Sequence, residues 1–151
     1  MKIGIISGYF NPLHTGHLDY IEEAKSLCEY LIVIVNNDEQ VIIKGSIPFM
    51  NQNDRSRIVL ALGSVDNVFI STDTDKSVVQ TLRNIRDLYL HNNPSEEHPF
   101  KINGLSFKFM NGGDRNPNNT LEGDFCYNNG IEAVYNVGGE KTYSSSELLE
   151  Q

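Results

Sequence analysis

Two histidines three residues apart, His14 and His17, are the side chains of this sequence best suited to act on a phosphate. They lie in the stretch GYFNPLHTGH, residues 8–17, which follows an apolar run and enters an amphipathic pattern. Residues three apart at a helix start share one side of the first turn, where backbone amides favour an anion. Gly16 removes a side chain where phosphate oxygens would approach, and Gly8 lets the chain turn tightly. We therefore expect a phosphate group as the ligand.

Further polar groups suited to a nucleotide follow later apolar runs. Taken by itself, Lys44 is interpreted as a solvated loop lysine about as readily as a functional one. Asp114, in the stretch NGGDR, is suited to accept hydrogen bonds from ribose hydroxyls, although Asn-Gly and Gly-Asp also form ordinary turns. The run 143–146, sequence YSSS, offers three hydroxyls before a terminal helix pattern over 147–151; it suits the β- and γ-phosphates or an ordinary serine N-cap.

The elements that must position these groups are five apolar runs alternating with helical patterns, the signature of a parallel sheet covered on both faces. The expected strands are Lys2–Ser7, Leu31–Val35, Asn67–Ser71, Phe107–Met110 and Ile131–Val137. The first expected helix begins at the turn that carries His14 and His17, has its apolar positions from Leu18 to Cys28, and ends near Glu29. The other expected helices run from Asn51 to about Leu62, from about Lys76 to Leu90, and over Leu121–Tyr127. Residues 36–38 are predicted to turn, and the polar segment His91–Leu105 to form a mobile loop.

Right-handed crossovers applied to this order predict an α/β fold, a doubly wound (Rossmann-like) five-stranded parallel sheet with helices on both faces. The 151 residues suit a single domain, 1–151. Ligands of such sheets bind at the carboxyl ends of the strands. The candidate groups all follow predicted strands, so we expect one shared site.

Composition excludes several other functions. The formal net charge is −8, which leaves too little basic surface for a polynucleotide interface. The apolar runs are too short to cross a bilayer, and the N-terminus reads as a strand rather than a signal peptide, so a cytoplasmic location and no membrane partner are expected. Cys28 and Cys126 stand far apart without metal-ligand spacing and are interpreted as two reduced thiols.

The stretch GYFNPLHTGH resembles the G-x-F-[DN]-P-x-H-x-G-H signature of the cytidylyltransferase-like, HxGH-motif nucleotidyltransferases. The resemblance implies that His14 and His17 contact the nucleotide phosphates and stabilise charge on the α-phosphate, and that Lys44 reaches the phosphates. It implies nucleotide binding by a further set of residues. This set is Gly8, Tyr9, Phe10, Asn11, Gly16, Gly113, Asp114, Tyr143, Ser144, Ser145 and Ser146.

The same resemblance implies transfer of NMP from an NTP, with CTP favoured, to a phosphorylated acceptor such as glycerol 3-phosphate. Pyrophosphate would leave in a direct in-line attack, with Mg²⁺ accompanying the NTP and a homodimer as the assembly. Arg55 and Lys141 are weaker candidates for acceptor binding, and Arg55 is equally suited to an ion pair. Asp66 is interpreted as structural.

The sequence departs from this pattern at three positions. Several cytidylyltransferases carry Arg where this chain has Gly63, an Arg where only Lys141 is available, and a Lys where Glu147 stands. An alternative is therefore an ATP-dependent adenylyltransferase acting on a sugar phosphate such as heptose 1-phosphate. The segment His91–Leu105 is absent from the shortest members and is a candidate acceptor lid.

Two hypotheses of non-catalytic function also follow from the residues. A catalytically lapsed nucleotide-binding module would bind triphosphate without turnover. A zinc site on His14 and His17 lacks a third ligand at useful spacing, so no metal ligand is assigned. Catalysis requires the two imidazoles and the serine cluster to converge on one triphosphate.

Overall fold

The computed structural model describes residues 1–92, 104–113 and 121–138. The strands are β1 (Lys2–Gly8), β2 (Tyr30–Val35), β3 (Asn67–Ile70), β4 (Ser106–Gly112) and β5 (Ile131–Val137). The helices are α1 (Thr15–Ser26), α2 (Asp38–Ile43), α3 (Gln52–Leu60), α4 (Val79–Asn92) and α5 (Leu121–Asn128).

The five strands form one parallel sheet in the order β3-β2-β1-β4-β5. The chain moves from β1 outward to β2 and β3, and then returns to the other side of β1 for β4 and β5. The strand order therefore reverses at β1, and the crevice between the carboxyl ends of β1 and β4 is the switch point where ligands of such sheets bind. The predicted Rossmann-like fold is confirmed.

Helices cover both faces of the sheet because side chains alternate along each buried strand. In β2, Ile32 and Ile34 join the cluster that packs against α4 and α5, whereas Leu31 and Val33 join the cluster that packs against α1 and α3. All four of these side chains are fully buried. The sheet is thus a rigid platform whose loops at the carboxyl ends carry the polar groups.

Two segments differ from the sequence prediction. Residues 38–43, which follow the predicted turn, form α2, because Asn37 caps it by accepting a hydrogen bond from Gln40 N. Helix α4 begins at Val79 rather than near Lys76, and it continues through His91 and Asn92 into the segment predicted as a loop. The strand boundaries agree with the prediction within two residues. Helix α1 ends at Ser26, three residues before the predicted end.

The amino ends of β2 and β3 are tied together by Asp66. Its carboxylate accepts hydrogen bonds from Lys25 Nζ at 2.6 Å and from Leu31 N at 2.8 Å. Partial burial would raise the pKa of Asp66, but the bonds from Lys25 and Leu31 outweigh it and lower that pKa. The structural interpretation of Asp66 agrees with these contacts.

Gly63 lies in the connection between α3 and β3, at the amino edge of the sheet. The candidate site lies at the carboxyl edge. Within one chain, Gly63, where several cytidylyltransferases carry Arg, is therefore remote from the site. A Cβ added at Gly63 would meet no atom within 4 Å.

Among the described residues, no helix is both long and apolar enough to span a membrane. Residues 93–103 of the proposed lid lie outside the described part of the chain. So do the whole 114–120 segment and residues 139–151.

Candidate active site

The two histidines of the motif build the first turn of α1 between them. His14 is the N-cap residue, and its Nδ1 accepts a hydrogen bond from Gly16 N at 3.1 Å. In return, His17 Nδ1 accepts one from His14 N at 3.1 Å. The rings stack with their centroids 3.7 Å apart and their planes 22° apart. This arrangement is a capping box in which imidazoles replace the usual Ser and Glu side chains.

The capping box fixes which nitrogen of each ring carries the hydrogen. A neutral imidazole has one donor and one acceptor nitrogen, and both Nδ1 atoms here face backbone N–H donors. Hydrogen-bond geometry therefore assigns the hydrogen of each ring to Nε2. Two rings that donate from Nε2 at a helix N-terminus can stabilise negative charge on a phosphate without a proton transfer.

Phe10 supports His17 from the strand side. Its ring is buried and packs edge-on against the His17 ring, with centroids 4.9 Å apart. A Cβ at Gly8 would lie 2.7 Å from the Phe10 ring, so glycine is needed there to make room for that ring. Phe10 and Gly8 were predicted to bind nucleotide, and the structure gives both a packing role beneath the histidines.

Arg55 is the largest fully buried side chain of the described residues and joins four segments. Its guanidinium donates to the carbonyl oxygens of Tyr9, Asn36 and Met50 and to the carboxylate of Asp38, at 2.7–3.0 Å. Of the two interpretations left open for Arg55, the structure shows the ion pair. The side chain is 0% exposed, so it presents no surface for the alternative contact with an acceptor.

Lys44 lies beside the motif, as expected for a phosphate-binding group. It is the C-cap residue of α2, and its Nζ lies 4.2 Å from the centre of the Tyr9 ring. This cation–π contact holds the ammonium near the residues after β1 while the side chain stays exposed. The structure thus brings Lys44, Tyr9 and the histidine pair to neighbouring strand ends.

Asn11 is buried and uses its side-chain amide inside the protein. Nδ2 donates to Ile47 O at 2.9 Å, and Oδ1 accepts from Phe49 N at 2.5 Å. Asn11 was predicted to bind nucleotide, and the structure gives its side chain partners inside the protein. The amide instead binds the segment that follows α2.

On the other side of β1, β4 ends in Gly112 and Gly113, where a nucleotide contact was predicted. Two groups secure this end. Tyr20 on α1 donates from its hydroxyl to Met110 O at 2.5 Å, and Asn111 Nδ2 donates to Val134 O at 3.2 Å. The Tyr20 ring also packs 3.4 Å from the position of a Cβ at Gly112.

Tyr20 and Gln40 are not among the predicted site residues. Tyr20 lies three residues after His17 on the same helix face, and that spacing is the signal that points to it. Gln40 is fully buried: its Oε1 accepts from Asn36 Nδ2 and Asn37 N, and its Nε2 donates to the carbonyl oxygens of Asp75 and Ser77. No periodicity in the sequence marks a buried glutamine of this kind.

Several predicted site residues lie outside the described part of the chain. They are Asp114, Lys141, Tyr143, Ser144, Ser145 and Ser146, with the departure at Glu147. Convergence of the serine cluster with the histidines therefore stays a prediction. Both histidines are partly exposed as residues, but the Nε2 atom of His14 is itself buried.

The cysteines do not supply a nucleophile. Both are free thiols, and burial raises the pKa of Cys28. Burial and the nearby charge of Glu122 raise the pKa of Cys126 to about 12. Within the described ranges no three His, Cys, Asp or Glu side chains are grouped so as to hold a metal ion.

The sheet order and the histidine-capped helix at the switch point define a Rossmann-like nucleotide-binding α/β protein. The sequence profile described as cytidylyltransferase-like matches residues 5–101, and the chain belongs to that family.

Individual proteins agree with this assignment. The chain is 35% identical over 116 residues to the bifunctional protein HldE of Haemophilus influenzae, and this match covers 75% of this chain and 24% of HldE. It is 39% identical over 75 residues to an FAD synthase of Ferroglobus placidus, which covers 50% of this chain and 49% of that protein. The structure of a lipopolysaccharide core biosynthesis protein from Thermoplasma volcanium superposes with a TM-score of 0.67 at 20% identity, covering 95% of this chain and 99% of the other.

The chain spans half or less of the length of these two curated relatives. The T. volcanium structure shares the fold.

Proposed function

We propose that this protein is a nucleotidyltransferase that joins the NMP part of an NTP to a small phosphorylated acceptor and releases pyrophosphate. One observation carries the proposal: the paired imidazoles of His14 and His17 begin α1 at the carboxyl end of β1, with both Nδ1 atoms occupied by backbone N–H groups. Membership of the cytidylyltransferase-like family supports it.

In the proposed reaction, an oxygen of the acceptor phosphate attacks the α-phosphorus in line. The new P–O bond forms as the bond from that phosphorus to the bridging oxygen of the β-phosphate breaks, and pyrophosphate leaves with the electron pair. The Nε2–H groups of His14 and His17 and the positive end of the α1 dipole are assigned to the charge on the α-phosphate oxygens, so no covalent protein intermediate is needed.

The remaining predicted roles belong to this proposal. Lys44 neutralises phosphate charge, Asp114 binds the ribose, and the 143–146 cluster binds the β- and γ-phosphates. Mg²⁺ arrives as part of the NTP complex, since that ion is usually held by substrate phosphates and water. A homodimer is the proposed assembly, and its test is the mass in solution by analytical ultracentrifugation.

The donor base has two candidates. The motif resemblance favours CTP, with glycerol 3-phosphate or a similar polyol, sugar or aminoalcohol phosphate as acceptor. The FAD synthase relative favours ATP, because FAD contains adenine. Heptose 1-phosphate stays the sugar phosphate to try with ATP.

The test is pyrophosphate release with each NTP, Mg²⁺ and a panel of phosphate esters that includes glycerol 3-phosphate, heptose 1-phosphate and flavin mononucleotide. At least one pair should turn over in the wild type and be lost in His17→Gln. If no pair releases pyrophosphate while calorimetry still detects triphosphate binding, the protein is the lapsed binding module instead.

A further inference from the structure

The segment Ser46–Met50, between α2 and α3, has a fixed backbone and exposed side chains. Ser46 N donates to Val41 O at 3.0 Å, and Met50 O accepts from Arg55 Nε at 3.0 Å. Between these two anchors, Ile47 O and Phe49 N both bind the Asn11 amide. Yet the Ile47 and Phe49 side chains are 79% and 63% exposed.

An exposed apolar pair on an anchored backbone differs from an ordinary surface loop. Four residues of the Ser46–Met50 segment are hydrogen-bonded to buried or helical partners, so the segment has little conformational freedom to lose when a ligand binds. Large apolar side chains held in that way next to a candidate site are typical of a binding surface.

The sheet topology gives the side on which this surface lies. The nucleotide site of the proposed function occupies the switch point between β1 and β4. The Ser46–Met50 segment follows α2, and α2 follows β2, on the other side of β1. With the nucleotide assigned to the β4 side, the second substrate of the proposed function is the ligand left for this surface on the β2 side.

We infer that Asn11 is a positioning residue that fixes the Ser46–Met50 segment as the acceptor-side wall of the active site. This inference rests on the proposed function for the identity of the acceptor, but not for the placement of the segment. The requirement is for an amide specifically: one end must donate to a carbonyl and the other must accept from an N–H. A carboxylate, which the motif signature also admits at this position, cannot donate to Ile47 O.

The decisive variant is Asn11→Asp, which keeps the shape and the acceptor oxygen but sets a negative oxygen against Ile47 O. Losing this bond and burying the mismatch costs roughly 1–3 kcal/mol, equivalent to about 5- to 150-fold. We expect KM for the acceptor to rise within that range while KM for the NTP changes less than about twofold. The matched control is Asn53→Asp, an exposed residue of α3 with the same change of charge.

Two further measurements keep the inference falsifiable. Amide hydrogen exchange of peptides covering 46–50 should be faster in Asn11→Asp than in the wild type and the control. Phe49→Ala, which keeps the backbone N–H and removes only an exposed side chain, should raise KM for the acceptor and leave folding intact.

Unchanged exchange in the 46–50 peptides of Asn11→Asp would overturn the placement role. An equal rise of KM for NTP and acceptor, or a fall in kcat alone, would overturn the assignment of the acceptor side. If the wild type turns over no substrate pair, the proposed function fails, and hydrogen exchange alone then decides whether Asn11 fixes the segment.

Discussion

The two sides of β1 are secured in different ways. On the β2 side, the buried side chains of Asn11, Gln40 and Arg55 hold backbone groups of several segments by hydrogen bonds. On the β4 side, α1 packs directly over the strand ends. The Tyr20 hydroxyl donates a hydrogen bond to Met110 O, and the Glu23 carboxylate accepts one from Gly138 N. A Cβ at Gly138 would lie 2.9 Å from Tyr20 Cα.

This difference indicates how the stability of each side responds to the loss of one side chain. A buried network leaves orphaned polar groups when one member is removed, so its loss is costly and spreads to every segment it joins. A helix packed over strand ends loses one contact at a time. We therefore expect one substitution in the buried network to destabilise all the segments of the β2 side, so that this side fails as a unit. One substitution on the β4 side should remove only a single contact.

The largest effect is expected from Arg55→Met. Removing the guanidinium leaves Asp38 and three carbonyl oxygens without their donor, which should lower the free energy of unfolding by about 3–5 kcal/mol. Urea unfolding measures it, with Arg57→Met, an exposed position on the same helix, as the control. A loss below about 1 kcal/mol would contradict the idea that the β2 side fails as a unit.

His14→Asn separates the two roles of the motif. Asparagine is an excellent N-cap, so stability should stay within about 0.5 kcal/mol of the wild type. Pyrophosphate release should fall about 10²- to 10³-fold, as when one charge-stabilising donor is removed. Equal activity in this variant would mean that the ring does not touch the reacting phosphate.

Tyr20→Phe tests the β4 side. It removes one hydroxyl and its bond to Met110 O, so a loss of about 1 kcal/mol of stability is expected. Thermal unfolding gives the stability, and KM for the NTP reports on the β4 end. A loss as large as that of Arg55→Met would erase the contrast between the two sides.

Asp66→Asn tests a tie at the amino edge, away from both sides of the site. The folded pKa of Asp66 is lowered, so its contribution is present above the unfolded pKa of about 3.9 and is lost as the pH falls through the folded value. The variant should be less stable than the wild type by about 0.5–1 kcal/mol at pH 7, and this difference should vanish in acid. Thermal melts from pH 7 to pH 3 measure it, with the exposed Asp19→Asn as control; a difference that grew in acid would have the wrong sign.

The smallest effect is expected from Gly63→Arg. Open space surrounds this position, so stability should change by less than about 0.5 kcal/mol. The ratio of CTP to ATP turnover should also stay the same, because the residue lies at the amino edge of the sheet. A shift in that ratio would mean that this edge meets a nucleotide site, through a second copy of the chain.

The fold followed from the sequence because each strand is a short apolar run and each long helix has a clear stripe. Helix α2 escaped prediction because its N-cap Asn37 and its first residue Asp38 are turn formers, and because its six residues are too few to show a period. His14 and His17 were found from residue type and spacing, and Lys44 from the family resemblance; the structure brings all three to neighbouring strand ends.

The use of Asn11 could not be predicted, because its partners are backbone atoms 36 and 38 residues away. The ion pair of Arg55 was one of its two predicted roles, but its bonds to Tyr9 O and Asn36 O, 46 and 19 residues away, could not be predicted. Backbone acceptors are the same in every residue type and leave no mark on the sequence. Gln40 could not be predicted for the same reason, because its carbonyl partners are 35 and 37 residues distant.

The capping box of His14 and His17 has a consequence for protein engineering. Serine or aspartate followed by glutamate would begin this helix at least as well as two imidazoles, so folding by itself gives no reason for the costlier pair. A redesign guided only by heat resistance would replace both rings and yield a sturdier chain that had lost its chemistry.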